Sequence, residues 1–331
     1  MFALILIFAI CLALFFSFWT GFTDAAYAIS TIIGTRTLKP YQAVILSVIG
    51  NFIGMVFGSA VAATIGMGII SQSVASGEVI IATLLGALIF DVITSWIFSL
   101  PISETHVLIG GLVGSGIAAG GLKVVKFQGI INKVIIPMLT SPFIAIIVAF
   151  LIGCVIIRAF RNVHASKINK SFKKLEVIAG LFFSITDGTN DAQKVMGIIT
   201  ILLIYYGYLT EFAVPFWVML ASYITMSLGT FFGGWRIVKT MATKITRMKP
   251  YQGFSASIGS SLLLGTAAIW GMPISSTHVA NGSIMGVGMC QRIKAVKWGT
   301  TRKIVVAWIL SMPLSAVLSF VIFHVIKLFV A

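Results

Sequence analysis

The chain has 331 residues, of which 59% are hydrophobic and only 9% are charged. A soluble domain has about a quarter of its residues charged, so this composition excludes a soluble fold. Because only helices and closed barrels satisfy the backbone in lipid, long apolar runs predict an all-α polytopic membrane protein. The net charge of +15 would suggest nucleic-acid binding in a soluble protein. In a membrane protein it instead indicates basic loops, and no nucleic-acid partner is predicted.

Ten segments have the roughly 20 mainly apolar residues that a membrane span needs. They are 2–34, 42–68, 79–100, 101–121, 134–157, 175–206, 212–234, 252–272, 273–290 and 304–328. The first and sixth are too long for one simple helix and contain polar, glycine-bearing interruptions, which predicts broken helices. The fourth and ninth begin with proline and are rich in Ser, Thr and Gly, which predicts re-entrant hairpins. In all, we expect about 10–12 transmembrane helices.

The distribution of basic residues sets the orientation. If the N-terminus is outside, 18 of the 23 lysines and arginines fall in cytoplasmic loops and 4 fall outside, as the positive-inside rule requires. The longest polar run, residues 158–174, is interpreted as a solvated cytoplasmic linker between two halves, residues 1–157 and 175–331. Glu78, Glu176 and Glu211 fall near segment ends and are predicted to be solvated.

Each half contains the same two motifs in the same order. In the first half GFTDAA (residues 21–26) is followed by PISETHVLIGGLVG (101–114). In the second half GTNDAQ (188–193) is followed by PISSTHVANGSIMG (273–286). Because each half has an odd number of crossings in this layout, the second half enters from the opposite side. The repeat therefore predicts two inverted-topology repeats, the plan of many secondary transporters.

The proline-led motifs are suited to binding an oxyanion. Proline cannot extend a preceding helix, and the Ser and Thr that follow it are good N-caps for a new half-helix. Such a helix start presents free N–H groups, hydroxyls and a positive dipole end to a tetrahedral anion. The alternative is that the hydroxyls bond back to their own helices. His106 and His278 are candidate proton carriers, with a structural hydrogen-bonding role as the alternative.

The G-x-x-D motifs are candidate cation sites, because a carboxylate at bilayer depth is costly and usually marks function. Asp24, Asp187 and Asp191 lie in the interrupted segments, where Thr23 and Asn190 can add oxygen ligands. Helix capping is the alternative for Asp24 and Asp191.

Three further charged residues fall at bilayer depth. Glu104 lies in the first proline-led motif, and Asp91, ten residues before Pro101, is a weaker candidate. Lys194 follows Asp191 by one helical turn. It either forms an ion pair that makes the aspartate tolerable or contributes affinity for the anion.

Taken together, five stretches make the chain resemble the PiT inorganic phosphate transporter family, and most of all its shorter bacterial low-affinity members. They are GFTDAAYAISTIIGTR, LPISETHVLIGGLVG, DGTNDAQKVMGIIT, FFGGWRIVKTMATKIT and MPISSTHVANGSIMGVG. The resemblance implies two inverted repeats in the bacterial inner (plasma) membrane, and a homodimer. It also implies symport of inorganic phosphate with sodium or protons, with a divalent metal carried as a metal–phosphate complex in some members.

Position by position, the resemblance assigns Asp24, Asn190 and Asp191 to the cation and phosphate site. The phosphate-binding hairpins are matched by Ser103, Thr105, Ser275, Ser276 and Thr277. Three residues depart from the family pattern: Thr23 replaces an Asn or His, Tyr27 replaces an Asn, and Glu104 replaces a small hydroxyl residue. An ionised Glu104 would repel phosphate, so we predict that it couples a proton or contacts a metal. The alternative is that it faces away and pairs with a lysine such as Lys123.

These features predict an alternating-access symporter for inorganic phosphate rather than an enzyme. Two alternatives stay open, a symporter of sulfate or another tetrahedral oxyanion and a passive anion channel. A membrane-embedded hydrolase lacks a nucleophile, base and metal-ligand set in common sequence vicinity. The three cysteines are far apart and give neither a disulfide nor a zinc pattern, so no resident cofactor is predicted and any metal is unknown.

Overall fold

The protein is built from helices throughout the part of the chain that the structure describes. The computed structural model describes residues 2–233, 238–239, 241–242, 245–246 and 248–330. Its α-helices are α1 (Phe2–Gly34), α2 (Pro40–Ile53), α3 (Ala60–Gly68), α4 (Gly77–Asp91), α5 (Glu104–Gly120), α6 (Phe127–Ile130), α7 (Ile136–Ala159), α8 (Ala165–Tyr205), α9 (Phe216–Phe232), α10 (Pro250–Ile269), α11 (Ser276–Met289) and α12 (Trp298–Val330). The π-helical turns Val92–Ile97 and Ile131–Ile135 extend α4 and join α6 to α7.

The predicted membrane character is confirmed. Five helical stretches within the described ranges are long and apolar enough to cross a membrane: Ala3–Gly34, Pro40–Phe57, Gly77–Ile97, Phe127–Ala159 and Trp298–Phe329. Helix α9 is a shorter apolar helix. Outward faces are apolar as well, since α7 exposes a stripe at four-residue spacing, comprising Leu139, Phe143, Ile147, Leu151 and Val155. Such a stripe matches a lipid surround.

The interruptions expected in the first and sixth segments are not present. Helix α1 runs unbroken for 33 residues and α8 for 41 residues. The glycines of their motifs instead allow helices to approach closely, which is a common use of small residues in lipid. A Cβ atom on Gly21 would collide with the backbone of Met226 in α9, and one on Gly188 would lie 2.6 Å from the Cα of Asn51 in α2. The chain breaks instead before α5 and α11.

Helices α4 and α5 form a hairpin, so the segment 101–121, predicted to be a re-entrant hairpin by itself, supplies only one arm of it. The loop before α4 and the loop after α5 lie together, joined by an isolated antiparallel bridge between Ile70 and Val125 and by a bond from Ser71 N to Val124 O of 2.8 Å. The two arms therefore begin and end on the same face of the protein. Pro101 and Ile102 in their connection are buried, and the carbonyl oxygen of Ile102 accepts a hydrogen bond from Tyr27 of α1.

Helices α10 and α11 form a second hairpin of the same kind. Lys297 N donates to the carbonyl oxygen of Ile245 at 3.0 Å, so the chain that enters α10 lies beside the chain that leaves α11. Both loops carry the basic residues assigned to the cytoplasm. Arg236, Lys244 and Arg247 of this basic region lie outside the described residues.

The buried apolar residues form two clusters with a polar zone between them. One cluster contains residues of the first half of α1 and the last part of α8, and the other contains residues from the second half of α1 and from α10 to α12. Helices α1 and α8 pass through both. The motif residues near Asp24 and Asp191 lie in the zone between the clusters, where the hairpin tips also arrive.

The basic segment 158–174 is exposed over most of its length, and residues 165–174 form the first turns of α8. The prediction that Glu176 is solvated is wrong. Glu176 is buried, and its carboxylate accepts hydrogen bonds from the hydroxyls of Thr35 and Thr37. The reason is that the end of α1 and Gly253 of α10 close over this turn of α8.

Candidate functional site

The two proline-led motifs start half-helices as predicted. Ser103 caps α5 by accepting a hydrogen bond from the N–H of His106 at 3.2 Å, and Ser275 caps α11 by accepting from His278 N at 3.3 Å. Both serine side chains are therefore used as N-caps. The capped helix starts are buried, so the positive ends of both dipoles point into the protein interior.

The hairpin tips bond to each other in a reciprocal way. Thr277 Oγ1 donates to the carbonyl oxygen of Ile102 at 2.6 Å, and Thr105 Oγ1 donates to the carbonyl oxygen of Ile274 at 3.3 Å. The threonine of each motif thus donates a hydrogen bond to the tip of the other hairpin. In this conformation their hydroxyl protons are engaged within the protein, so an anion would contact these two residues only after the tips move apart.

Ser276 brings the two motif aspartates together. Its hydroxyl lies 3.1 Å from Oδ2 of Asp191 and 3.5 Å from Oδ2 of Asp24. Three elements, α1, α8 and α11, therefore converge at one point, and all three side chains are buried. Neither aspartate lies at a helix end, so the capping alternative does not apply to them.

Lys194 is buried and forms an ion pair with Asp191 one turn earlier on α8. This is the ion-pair role that the sequence left open beside anion binding. Five carboxyl groups of the motif and hairpin regions are buried, namely Asp24, Asp91, Glu104, Asp187 and Asp191, whereas Lys194 is the only buried lysine or arginine among the residues described. Unpaired charges in a lipid-surrounded interior are costly, so carboxyl groups in excess of this one lysine are stable there only when protonated or paired with a cation.

Several polar atoms at this level have no hydrogen-bond partner within the described ranges. They include both amide atoms of Asn190, Oδ1 of Asp24 and Oδ1 of Asp187. Buried polar groups in proteins are nearly always satisfied, so a group of unsatisfied ones indicates a site for a polar ligand. Asn190 can both donate to and accept from such a ligand.

The two histidines of the proline-led motifs face each other, with ring centroids 4.5 Å apart. His106 Nδ1 lies 3.0 Å from the carbonyl oxygen of Trp308, and His278 Nδ1 lies 3.3 Å from that of Met138. Because a carbonyl oxygen only accepts, Nδ1 bears the proton in both rings. These contacts match the structural hydrogen-bonding role, and the proton-carrying role stays a prediction.

Glu104 points into the interior beside α1 and does not pair with Lys123. Its Oε1 accepts a hydrogen bond of 2.8 Å from Thr23, the neighbour of Asp24. Trp19, one helical turn before Thr23 on α1, holds a second buried acid, Asp91, beside Glu104. Asp91 in turn accepts a hydrogen bond of 2.6 Å from the indole N–H of Trp19.

Comparison with known proteins now decides the family. The sequence model of the phosphate transporter family (PHO4) matches residues 20–167 and 158–319. The chain belongs to the phosphate transporter family. A probable low-affinity inorganic phosphate transporter from Rhizobium meliloti is 43% identical over 312 residues, which cover 94% of this chain and 93% of the relative. Another protein with the same description, from Bacillus subtilis, is 37% identical over 328 residues, which cover 98% of this chain and 98% of the relative.

A solved structure has the same fold. It is described as the sodium-dependent phosphate transporter, superposes with a TM-score of 0.88 and covers 98% of this chain and 99% of its own, at 24% identity. The family members are transporters, as the sequence predicted, and not enzymes. This phosphate transporter is thus a multi-pass membrane protein whose expected location is the bacterial plasma membrane.

Among the predicted site residues, Asp24, Asp191 and Ser276 make direct contact, and Thr23 and Glu104 adjoin them. The hairpin tips carry four further predicted residues, Ser103, Thr105, Ser275 and Thr277. Their hydroxyl groups make hydrogen bonds within the protein. Asp91, the weaker candidate of the sequence, is also buried, with Trp19 and Ser95 as hydrogen-bond donors, and its role stays a prediction.

Proposed function

We propose that this transporter imports inorganic phosphate together with protons and that access to the site alternates between the two sides of the membrane. The observation that carries the proposal is the contact of Ser276, the first residue of α11, with both Asp24 and Asp191. A helix start attracts an anion, whereas ionised carboxylates at the same point repel it. Neutralising the carboxylates therefore raises the affinity for phosphate, and bound phosphate raises the affinity for the cation. This mutual dependence is the basis of symport.

The proton is the coupling ion that the contacts favour over sodium. Asp24 and Asp191 both contact the Ser276 hydroxyl, and a proton neutralises such neighbouring carboxylates without the several further oxygen ligands that a sodium ion needs. In the described part of the chain, no group of three or more His, Cys, Asp or Glu side chains is arranged to hold a metal ion. The protein thus offers few ligands to the metal of a metal–phosphate complex, which favours free phosphate as cargo.

The acidic lining also favours phosphate over sulfate. Near neutral pH phosphate retains at least one O–H group and can donate a hydrogen bond to a carboxylate, whereas sulfate has no proton to donate. Next to Asp24 and Asp191, sulfate would leave carboxylate oxygens facing its own oxygens. A site built to accept a hydrogen bond rejects a ligand that lacks the donor.

Alternating access is supported by the arrangement of the two halves, residues 1–157 and 175–331, on either side of the basic linker 158–174. In the proposed layout, each half has two membrane-crossing elements, one hairpin and one further crossing element, in that order. The first hairpin enters from the face of residues 69–76, and the second enters from the opposite face, that of residues 245–249. The side chains of Asp24, Asp191 and Ser276 are at most 2% exposed, which argues against a continuously open channel. Two inverted repeats that rock against each other would open the site to one side at a time.

Uptake of radiolabelled phosphate into proteoliposomes tests the proposal. An inward proton gradient should drive uptake against a phosphate gradient, whereas a sodium or divalent-metal gradient at constant pH should not. A tenfold excess of sulfate should leave the uptake unchanged. The variant Asp191→Asn should abolish accumulation, and the exposed Glu211→Gln serves as the matched control. Accumulation that follows sodium would overturn proton coupling, and downhill flux that ignores every gradient would indicate a channel.

A further inference from the structure

A second group of acids lies next to the proposed phosphate site but is held by different residues. Asp91 is the last residue of α4 and is completely buried at the point where the helix widens into a π-helical turn. Trp19 of α1 donates its indole N–H to Oδ2 at 2.6 Å, and the hydroxyl of Ser95 donates to Oδ1. Single π-turns are frequent at functional sites. Both oxygens of Asp91 thus have a donor, as a carboxylate needs.

Glu104, the first residue of α5, completes the group. Thr23 donates to its Oε1, but no N–H or O–H group within the described ranges donates to its Oε2. Trp19, which donates to Asp91, and Thr23, which donates to Glu104, are one helical turn apart on α1, so the two acids lie side by side along that helix. Two ionised carboxylates have only acceptor oxygens and repel each other, so this arrangement favours a proton on one of them.

Among the residues that the structure describes, no lysine or arginine forms an ion pair with Asp91 or Glu104. The charged and titratable groups that face these two acids are Asp24 and Tyr27 on α1 and Lys194 on α8, and Lys194 is already paired with Asp191. One proton shared between two carboxyl groups lowers the charge of the pair from two to one. In a lipid-surrounded interior this is far less costly than two adjacent anions.

We propose that Asp91 and Glu104 form a second proton-binding site, distinct from the Asp24–Asp191 pair, and that it carries one shared proton with each transported phosphate. The inference rests on the proposed proton symport. Glu104 is adjacent to the cap residue Ser103 at the tip of the first hairpin, whereas Asp91 is fixed to α1 through Trp19. A movement of the tip therefore separates the two carboxyl groups and exposes them to water.

The chemical step is a simple proton transfer. An O–H bond forms between a hydronium ion and a carboxylate oxygen of the pair when the pair is accessible from outside. It breaks in favour of water when the pair is accessible from the cytoplasm. Thr23, which bonds to Glu104 and precedes Asp24 in the chain, links this step to the phosphate site.

The test measures protons per phosphate in proteoliposomes, with an internal pH dye and radiolabelled phosphate in the same preparation. In Asp91→Asn or Glu104→Gln the new amide donates to the remaining carboxylate and favours its ionised form. Each single variant should therefore lose about one proton per phosphate, and the double variant should lose no more, because the proton is shared. Glu78→Gln, which neutralises an acid in the first turn of the same helix α4, is the matched control, and its ratio should equal that of the wild type.

Several outcomes overturn the inference. A wild-type ratio in either single variant would mean that the pair is not needed, and a loss of two in the double variant would mean two independent protons. If the wild type takes up no protons, the proposed symport itself fails, whereas unchanged ratios in a proton-coupled protein refute only this second site. Infrared spectra of the purified protein provide a readout that needs no transport. The protonated-carboxyl absorption should be smaller in folded Asp91→Asn than in the wild type by the contribution of one group, while that of the Asp24–Asp191 pair remains, and an unchanged absorption in the double variant would refute the assignment.

Discussion

The buried ion pair of Asp191 and Lys194 gives a prediction that separates structural from functional charge. Both side chains are at most 1% exposed, and each is the other's counter-ion. The substitution Lys194→Met keeps the length and much of the volume of the side chain but leaves Asp191 uncompensated. Removal of one partner from a buried pair costs about 3–5 kcal/mol, because a lone charge remains in a medium that solvates it poorly.

That energy converts into a measurable shift. In a chain of this length, 1 kcal/mol lowers the melting temperature by about 2 °C, so Lys194→Met should melt roughly 6–10 °C below the wild type. The double variant Asp191→Asn/Lys194→Met removes both charges and should recover most of this loss. It should still fail to accumulate phosphate, since Asp191 belongs to the proposed coupling pair.

The assay is thermal unfolding of the purified protein followed by intrinsic fluorescence, with phosphate uptake measured on the same preparations. Lys170→Met, an exposed cation on the same helix, is the control and should change stability by less than about 0.5 kcal/mol. The reasoning is refuted if the double variant is as unstable as the single one. Phosphate accumulation by the double variant would remove Asp191 from the coupling site.

Three further substitutions test other parts of the structure. Ser276→Ala removes a hydroxyl that contacts two carboxyl groups and should weaken the apparent phosphate affinity by roughly 10- to 100-fold in uptake kinetics. The control Ser261→Ala removes a buried hydroxyl that bonds to Ser257 of its own helix, and it should leave the affinity unchanged. Equal effects of the two variants would argue against a role of Ser276 in the site. Gly114→Ala places a Cβ atom against the backbone of α12 and should lower the free energy of unfolding by about 1–3 kcal/mol. The control Gly68→Ala has room for the added Cβ atom. Equal melting temperatures of the two variants would contradict the close packing of α5 against α12. Glu176→Ala frees two threonine hydroxyls and should destabilise the protein by about 1–3 kcal/mol, and an unchanged melting temperature would show that these bonds contribute nothing.

Local signals predicted the hairpin starts well. A proline followed by a cap residue determines where a helix begins through contacts within four residues, and α5 and α11 do begin directly after Ser103 and Ser275. Glycine is ambiguous by comparison. It suits a break in a helix and also a close approach of two helices, and only the neighbouring element decides between them. In α1 and α8 the neighbours are α9 and α2, which no local pattern identifies.

Burial of the acids depended on contacts between distant elements. Glu176 lies near a segment end, and sequence position gives its depth along α8 but not the elements that cover it. Thr35, 141 positions earlier, donates to its carboxylate at 2.9 Å. In the same way Asp91 and Trp19 are 72 positions apart, and neither residue predicts the other. The type of residue at bilayer depth could be predicted from the sequence, whereas its partner could not.

The three departures from the family pattern turn out to share one location. Thr23 donates to Glu104, and the hydroxyl of Tyr27 donates to the carbonyl oxygen of Ile102 at 3.1 Å, two residues before Glu104. All three therefore connect α1 to the tip of the first hairpin. Considered singly, each is only a departure from the family pattern. Considered together, they form one set of contacts that holds an extra carboxyl group beside Asp91, so the difference from the family pattern is concentrated at the proposed second proton site.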